Sequence, residues 1–423
     1  MKTCAFATFG CKTNQYETQA IREQIIKHGL KEVPKNSTAD LYVINTCVVT
    51  EEALKKSVKY IRRILASNPE SKIVVTGCLV NYNKQALEVI ADKVLLLPNS
   101  EKQKLANIVF DKPHTSSDLS CPTISGNAGH TRAFLKIQDG CDNFCSYCIV
   151  PFVRGAPRSR SLEDIEMELD RLVKAEYKEV VLTGINIGLY GKYDNPKSTL
   201  ASLIEKIARK KLFARIRLSS IETTELTDEL ISVMKAYPEI CPHLHVPLQS
   251  ASDKILSKMN RNYTAKTFME KIENIYQQHG TIAVTTDVIV GFPGENEEDF
   301  EKTVQLSEKA GFARMHIFPF SARKGTTASV LIPKCSVEEK QRRCRYLTNI
   351  AAKLALSFKE KFVGKRVRVL VETQHAGKLS GYSDCYLVTE FTGSGSLKGQ
   401  LAEVDVKSVT SQKLIGTLAD RKG

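Results

Sequence analysis

The sequence predicts an α/β protein with three parts: an amino-terminal parallel α/β domain, a partial (β/α)6 barrel, and a small antiparallel β-barrel at the carboxyl end. Short apolar runs alternate with helical patterns over residues 1–112 and again from residue 133, which is typical of parallel sheets. Residues 359–423 instead alternate like antiparallel strands. With 423 residues, 42% hydrophobic and 26% charged, the chain has the composition of a folded protein of several domains.

The amino-terminal α/β domain is expected over residues 1–112. Apolar runs of strand length occupy residues 4–9, 41–45 and 73–76. Helical spacing occupies residues 15–28, 51–66 and 84–91. Loops that leave the carboxyl ends of parallel strands share one edge of the sheet, and we expect a functional site at that edge.

The partial barrel is expected over residues 133–358, after a linker at 113–132 that is rich in Pro, Gly, Ser and Thr. Its six predicted strands are 134–138, 179–182, 215–218, 243–246, 284–290 and 315–318. Helices are predicted to begin at Ser161, with a capping spacing to Asp164, and at Asn296, with an acidic first turn. Six strands are too few for a closed eight-stranded barrel, and their carboxyl ends are expected to carry the chemistry.

The last part, residues 359–423, follows a long helix predicted over residues 337–361. Its predicted strands are 366–371, 382–389, 399–406 and 413–418. Their alternation of apolar and polar residues predicts the small antiparallel barrel.

The charge of the chain favours an anionic partner. Sixty-one Lys and Arg against 47 Asp and Glu leave a formal charge of +14, which most often indicates nucleic-acid binding. A merely basic soluble enzyme is the alternative. No apolar stretch approaches the roughly 20 residues of a membrane helix, and the amino terminus lacks the apolar region of a secretory signal. We therefore expect a cytoplasmic protein with no membrane partner.

Three closely spaced cysteines are the most specific signal. Cys141, Cys145 and Cys148 form a CxxxCxxC pattern just after a predicted strand, and three close thiolates indicate a metal ion or a cluster. A structural zinc ion normally has four protein ligands, and the neighbourhood offers only His130 as a conceivable fourth. An iron–sulfur cube with three cysteine ligands leaves one iron open to a small molecule. We favour the cluster and keep zinc as the alternative.

A second set of three cysteines is dispersed. Cys11, Cys47 and Cys78 each follow a predicted strand by a few residues, so the sheet would bring them to one edge. Gly10 and Gly77 directly precede two of them and permit close backbone approach. From the pattern alone, three unrelated half-buried cysteines are about as plausible as a shared site.

The cysteine loop, with Tyr147 before its last cysteine, resembles the radical S-adenosylmethionine (SAM) superfamily. The segments TFGCKTN, INTCVVT and TGC, at residues 8–14, 44–50 and 76–78, resemble the amino-terminal domain of its methylthiotransferase subgroup. The resemblance continues through FLKIQDGC, PFVRG, TGINIG, LSSIE, HLHVPLQS and GFPGE, at residues 134–141, 151–155, 183–188, 218–222, 243–250 and 291–295. The last domain is similar to the RNA-binding TRAM fold.

This resemblance implies two 4Fe-4S clusters and SAM as cofactors. An auxiliary cluster would be held by Cys11, Cys47 and Cys78, and the radical SAM cluster by Cys141, Cys145 and Cys148. One SAM would methylate sulfur associated with the auxiliary cluster, and a second, cleaved at the other cluster to a 5′-deoxyadenosyl radical, would allow hydrogen to be removed from the substrate.

Further residues are predicted to line the SAM pocket, because the matching segments lie at strand ends. These are Tyr147, Asn186, Ser220, Glu222 and Gln249. The alternative for Tyr147 is plain packing, and for the other four a helix cap or a satisfied turn.

Two substrate classes are known for this subgroup: an adenosine 3′ of the tRNA anticodon that is already modified at N6, and an aspartate of a ribosomal protein. The positive charge favours RNA, so the expected partner is a tRNA anticodon stem-loop. Residues 136–140, 183–187 and 218–222 most resemble the type that acts on N6-threonylcarbamoyladenosine, which implies methylthio insertion at carbon 2 of that base. N6-isopentenyladenosine is the runner-up.

The implied reaction also needs an electron donor and a sulfur source as partners. A cation would suit the threonyl carboxylate, and the candidates are Arg154, Arg158 and Arg160, although a phosphate contact or a solvated face explains such a basic run equally well. A nonenzymatic iron–sulfur protein that binds RNA is the alternative from a different functional class.

Overall fold

The first sheet has five parallel strands. The computed structural model describes residues 1–82, 87, 94–112, 123–194, 198–333, 335–393 and 396–419. The strands are β1 (Thr3–Thr8), β2 (Lys31–Glu32), β3 (Leu41–Thr46), β4 (Lys72–Gly77) and β5 (Leu95–Leu97), in the spatial order β2-β1-β3-β4-β5. Every neighbouring pair is parallel, as predicted. The loops after β1, β3 and β4 therefore leave the same edge side by side.

Helices pack on both faces of this sheet. They are α1 (Lys12–Lys27), α2 (Glu51–Ser67), α3 (Cys78–Tyr82) and α4 (Leu105–Phe110). Successive β3 residues point to opposite faces: Val43 shares an apolar cluster with Ile25 of α1, whereas Ile44 shares the other with Ile61 of α2. The helix predicted over residues 84–91 lies outside the described residues, except for residue 87.

Six parallel strands form the partial barrel, which confirms the predicted fold class. They are β6 (Ala133–Lys136), β9 (Glu179–Thr183), β10 (Arg215–Leu218), β11 (His243–His245), β12 (Ala283–Val290) and β13 (Arg314–Pro319). They form two three-stranded sheets, β6-β9-β10 and β11-β12-β13, joined by the parallel bridge from Ser220 to His245. The short strands β7 (Gln138–Asp139) and β8 (Arg158–Ser159) pair next to this barrel.

The barrel strands are connected largely by helices. These are α5 (Val150–Arg154), α6 (Leu162–Lys174), α7 (Leu200–Arg209), α8 (Asp228–Ala236), α9 (Asp253–Lys258), α10 (Ala265–His279) and α11 (Glu297–Ala310). Ser161 caps α6 by accepting the amide of Asp164, and Asn296 forms a full capping box with Asp299 at α11. Over the described residues, none of the helices has the length and apolar character needed to cross a membrane.

The carboxyl-terminal strands close into a five-stranded barrel after helix α12 (Val337–Glu360). They are β14 (Arg366–His375), β15 (Lys378–Ser383), β16 (Val388–Thr392), β17 (Leu401–Val409) and β18 (Leu414–Leu418), in the order β14-β15-β16-β18-β17. All pairs are antiparallel except β16 with β18, so the predicted antiparallel barrel is closed by one parallel pair. The strand predicted over residues 382–389 is wrong, because residues 384–387 turn between β15 and β16 and Tyr386 has a φ of +62°.

Two buried arginines attach this last barrel to the core. Arg215 donates to the carbonyls of Tyr382 and Ser383, both over 3.0 Å, and Arg217 donates to that of Asp384 over 2.9 Å. Glu179 forms ion pairs with both arginines at 2.8 Å. Glu179 and Arg215 begin their strands, so the last barrel lies at the amino-terminal end of the core strands, away from the loops at their carboxyl ends.

Candidate cluster and cofactor site

The structure places the three dispersed cysteines at one edge of the first sheet. Cys11 caps α1, Cys47 follows β3 and Cys78 begins α3. A Cβ atom at Gly10 would lie only 2.6 Å from both Cβ and Sγ of Cys47, so the glycine makes room for that thiol. The pKa of Cys47 is raised to about 11, mainly by burial and to a smaller extent by the nearby Cys78 and Cys11. A bound metal would be needed to keep such a thiol ionised.

Polar side chains fix the loops that carry these cysteines. Asn14 Nδ2 donates to the carbonyls of Phe9, over 2.7 Å, and of Thr46, over 3.0 Å. Thr46 Oγ1 donates to the carbonyl of Thr76 over 2.6 Å. The loops of Cys11, Cys47 and Cys78 are thus joined to one another rather than merely adjacent.

A cation lies beside this edge. Arg154 is buried, donates to Asn14 Oδ1 over 2.5 Å, and interacts electrostatically with Cys78 and Cys11. Positive charge near three thiolates suits an anionic cluster. Together with the space that Gly10 leaves, this donor set fits an iron–sulfur cluster bound by three cysteines.

The CxxxCxxC loop is held by bonds to three other parts of the core. The amide of Cys141 donates to the carbonyl of Gly155 over 3.1 Å. The amide of Ser146 donates to the carbonyl of Met259 over 2.9 Å, and Ser146 accepts from the amide of Ala328 over 2.7 Å. Burial raises the pKa of Cys141 to about 11 and that of Cys148 to about 12. These thiols also need a metal to become ligands at neutral pH.

Arg261 joins this loop to a predicted SAM-pocket residue. Its Nη1 donates to Sγ of Cys145 over 3.2 Å and to Oε1 of Glu222 over 3.1 Å, while Nη2 forms a second, close contact with Glu222. Arg261 is 8% exposed and the side chain of Glu222 is 19% exposed, so the ion pair between them lies largely out of water. Arg261 was not singled out from the sequence, because this residue lies outside every motif identified there.

The other predicted pocket residues fall into two groups. Tyr147 and Gln249 line one cleft, and Gln249 holds a left-handed backbone with a φ of +64°. Asn186 is buried and accepts from the amide of Gly188 over 3.2 Å, but its Nδ2 has no partner among the described residues. Ser220 is half-buried at the end of β10. An unsatisfied buried amide such as that of Asn186 is the kind of group a ligand would pair with.

A cleft of about 500 Å³ lies between the amino-terminal domain and the core. Its amino-terminal wall follows Cys47 in the sequence, and its other wall comes from the core. The lining residues are Val49, Thr50, Glu51, Glu52, Tyr147, Gln249, Asp287, Ile289, Phe318, Pro319, Phe320, Ser321 and Arg323. The cleft therefore has one wall next to each set of cysteines.

Two of the three candidate arginines are not placed to contact a substrate. Arg154 pairs with Glu17 and Asp139, both at 2.9 Å, and its side chain is only 2% exposed. Arg160 pairs with Glu168 at 2.8 Å and is likewise buried. These buried carboxylates are their counter-ions, which argues against the predicted role in binding a threonyl carboxylate.

Arg158 remains accessible, with a side chain that is 61% exposed. Its Nη2 lies 3.8 Å from Asp139, which is too long for a strong hydrogen bond. It lies on β8, beside the cluster loop, and is the one of the three that an external anion can reach.

The zinc alternative calls for a fourth protein ligand beside the three cysteines of the CxxxCxxC loop. Across the described ranges, no three His, Cys, Asp or Glu side chains stand close enough to hold a single metal ion. His130 lies against the ring of Phe134 with centroids 5.4 Å apart. A 4Fe-4S cluster differs from zinc in that each thiolate binds a separate iron, so its cysteines need not meet at one point.

Comparison with known proteins gives the family. The radical SAM superfamily model matches residues 135–307, and the uncharacterized protein family UPF0004 matches residues 3–97. The threonylcarbamoyladenosine tRNA methylthiotransferase MtaB of Thermotoga maritima is 36% identical, covering 99% of this chain and 98% of that protein. The Bacillus subtilis protein of the same name is 35% identical over 96% of this chain and 94% of its own length.

A tRNA-2-methylthio-N(6)-dimethylallyladenosine synthase from Thermotoga petrophila is also similar, at 34% identity over 97% of this chain and 95% of that protein. Among solved structures, the radical SAM methyltransferase TsrM from Kitasatospora setae shares the fold, with a TM-score of 0.58 and 13% identity over 90% of this chain and 81% of that one. The chain belongs to the radical SAM methylthiotransferase family.

Proposed function

We propose that this protein inserts a methylthio group at carbon 2 of N6-threonylcarbamoyladenosine, next to the anticodon of tRNA. The observation that carries the proposal is the cleft, which has one wall beside each cysteine set. A base bound there would face both the site that supplies sulfur and the site that removes hydrogen. The named activity of the MtaB relatives supplies the substrate class.

Two 4Fe-4S clusters would be held by the two cysteine sets described above. When bound, they and SAM supply the radical and sulfur chemistry that protein side chains lack. No side-chain base could substitute, because the hydrogen on carbon 2 of adenine has no useful acidity near neutral pH. Single electrons and sulfur must be provided, so an electron donor and a sulfur source are further proposed partners.

The protein's own contribution is to hold and shield the reactants. Glu222 and Asn186, whose Nδ2 has no partner in the described part of the chain, lie at the carboxyl ends of core strands and would offer polar contacts to SAM. Tyr147 and Gln249 would position SAM against the cleft. Ile289 and Phe320 give that cleft apolar surface, which keeps water from a reactive intermediate.

A tRNA suits the charge of the chain. The formal charge of +14 favours a phosphate-rich partner, and an unstacked loop base can enter a cleft. The closed five-stranded barrel belongs to an architecture often used to bind oligonucleotides. A tRNA substrate would place the enzyme in the cytoplasm.

Nucleoside mass spectrometry of tRNA tests the proposal. Cells that lack the gene should lose 2-methylthio-N6-threonylcarbamoyladenosine and regain it when the intact gene is restored. A gene with Cys141, Cys145 and Cys148 replaced by alanine should not restore it. An unchanged nucleoside profile in the deletion strain would refute a role in tRNA.

N6-dimethylallyladenosine, also called isopentenyladenosine, is the second candidate substrate. It is favoured by relatives of nearly the same identity whose names give that product. The same measurement separates the two, because each methylthio nucleoside has its own mass.

A further inference from the structure

Arg323 has an unusual position in the cleft. Its side chain is only 5% exposed, and Nη1 forms an ion pair with Oε2 of Glu51 at 2.7 Å. It makes no other side-chain hydrogen bond or ion pair with a described residue. A guanidinium has five N–H donors in a planar fork that matches two oxygens, so most of its binding capacity is unused.

Arg323 is also the only Lys or Arg among the described residues that line the cleft, whereas Glu51, Glu52 and Asp287 are acidic. The three carboxylates disfavour an anion in most of the cleft, and Arg323 offers an anion its cationic contact there. An oxyanion that enters the cleft would therefore be drawn to Arg323, where it competes with Glu51 for the guanidinium.

The loop that carries Arg323 is rigid. The carbonyl of Arg323 accepts both the amide, over 3.0 Å, and Oγ1, over 2.8 Å, of Thr326. Ala328 then donates its amide to Ser146 of the cluster loop over 2.7 Å. The backbone that carries Arg323 is thus tied to the cluster loop, as suits a residue that orients a substrate.

Glu51 can give up this ion pair at low cost. Its side chain is 46% exposed, and it lies in the first turn of α2, where the helix dipole favours a carboxylate. Lys55 stands 3.9 Å away as a second cationic neighbour. Arg323, by contrast, is buried and requires a counter-ion at all times.

This inference rests on the proposed function. We propose that Arg323 binds an oxyanion of the RNA substrate, and that Glu51 pairs with Arg323 until the substrate displaces its carboxylate. Two groups share this chemistry: the threonyl carboxylate on the modified base and a phosphate next to that base. Both accept two parallel hydrogen bonds from a guanidinium.

The test measures binding of two anticodon stem-loop RNAs to the anaerobically prepared holoprotein. One RNA carries N6-threonylcarbamoyladenosine, and the other carries its uncharged methyl ester. If the carboxylate is the ligand, the wild type prefers the first RNA by about tenfold or more, and Arg323→Gln binds both equally weakly. If a phosphate is the ligand, the wild type binds both alike and Arg323→Gln loses about tenfold on each.

The variant Glu51→Gln distinguishes a role of Arg323 in binding substrate from a structural role in which the Arg323–Glu51 pair only joins the two domains. Removal of the competing carboxylate should tighten RNA binding by about two- to fivefold, opposite to the effect of Arg323→Gln. A purely structural link would instead make RNA binding weaker in both variants. Arg209→Gln is the matched control, because Arg209 is 67% exposed, pairs with Glu205 at 2.7 Å and is not among the residues that line the cleft.

The inference is overturned if Arg323→Gln binds both RNAs within twofold of the wild type, or if Glu51→Gln weakens binding as much as Arg323→Gln does. A wild-type holoprotein that neither binds nor modifies either RNA would overturn the proposed function instead. The two failures are therefore distinguishable.

Discussion

Arg261 donates a hydrogen bond from Nη1 to the thiol sulfur of Cys145 over 3.2 Å. The same guanidinium pairs with Glu222, so charge from the SAM-pocket side of the core is coupled directly to a cluster ligand. Hydrogen bonds and charges at the sulfur atoms are among the factors that set the reduction potential of an iron–sulfur cluster. Arg261 should therefore control how readily the core cluster accepts an electron.

We predict that Arg261→Gln lowers the reduction potential of the core cluster by about 50 mV, since a neighbouring positive charge stabilises the reduced, more negative state. The loss also leaves Glu222 without its cation, which acts in the same direction. A redox titration followed by electron paramagnetic resonance would measure the shift, in a Cys47→Ala background so that only one cluster titrates. Arg261→Lys keeps the charge and should shift the potential less; equal potentials in all three proteins would contradict the prediction.

The sequence predicted much of the fold, because the relevant signals are local. The alternation along β3 distinguishes the two sheet faces, and the caps at Ser161 and Asn296 mark helix starts within a few residues. The turn at residues 384–387 was misinterpreted as strand. It contains no glycine or proline, and its conformation is stabilised by Arg215 and Arg217 from a distant part of the chain.

The polar interior could not be predicted in this way. Arg154 stands in a basic run that looks like a solvated or RNA-binding segment, but its counter-ion Glu17 lies 137 residues earlier. The pairing depends on how the first domain packs on the core, and no local spacing encodes that. The same is true of Arg261, whose partner Cys145 is 116 residues away. Contacts between residues this far apart in the sequence could be identified only from the structure.

Gly10→Ala should selectively remove the amino-terminal cluster. The new Cβ would lie 2.6 Å from the Cβ and Sγ of Cys47, so the cysteine must move. We expect iron and sulfide in the anaerobically reconstituted protein to fall by about half, as one of two cubes is lost. Gly29→Ala is the control, since Gly29 also has a positive φ of +85° but no atom within 4 Å of the added Cβ. An equal loss of iron in the two variants would show that backbone strain, not the clash, is responsible, and no loss in either would contradict the prediction.

Glu179→Gln should loosen the attachment of the last barrel. Glu179 is completely buried and forms ion pairs with both Arg215 and Arg217 at 2.8 Å. Removal of one member of a buried ionic group costs about 3–5 kcal/mol, because the remaining charges stay buried without compensation. Urea unfolding should show the loss. Glu205→Gln, which breaks an exposed pair with Arg209, should cost less than about 1 kcal/mol, and similar losses in the two variants would contradict the prediction.

His243 should make the protein less stable at acidic pH. Its ring lies 5.0 Å from that of Tyr386, Nε2 contacts Thr285 Oγ1 at 3.3 Å, and Nδ1 has no hydrogen-bond partner among the described residues. Burial, together with the positive charge of Arg217, holds the pKa of His243 well below its usual value of 6.5. The folded protein therefore keeps this imidazole neutral where the unfolded chain protonates it.

The sign of the effect follows from linkage. Below about pH 6.5 the unfolded chain binds a proton that the folded protein does not, so the free energy of unfolding falls as the pH falls, by about 2 kcal/mol at pH 5. His243→Gln cannot be protonated and should lose this part of the pH dependence. Denaturant unfolding of both proteins between pH 7.5 and pH 5 measures it, because the other histidines contribute equally to both curves and cancel in the difference. Parallel curves over that range would mean that His243 takes up a proton in the folded state as readily as in the unfolded chain, and that its burial among cations does not keep it neutral.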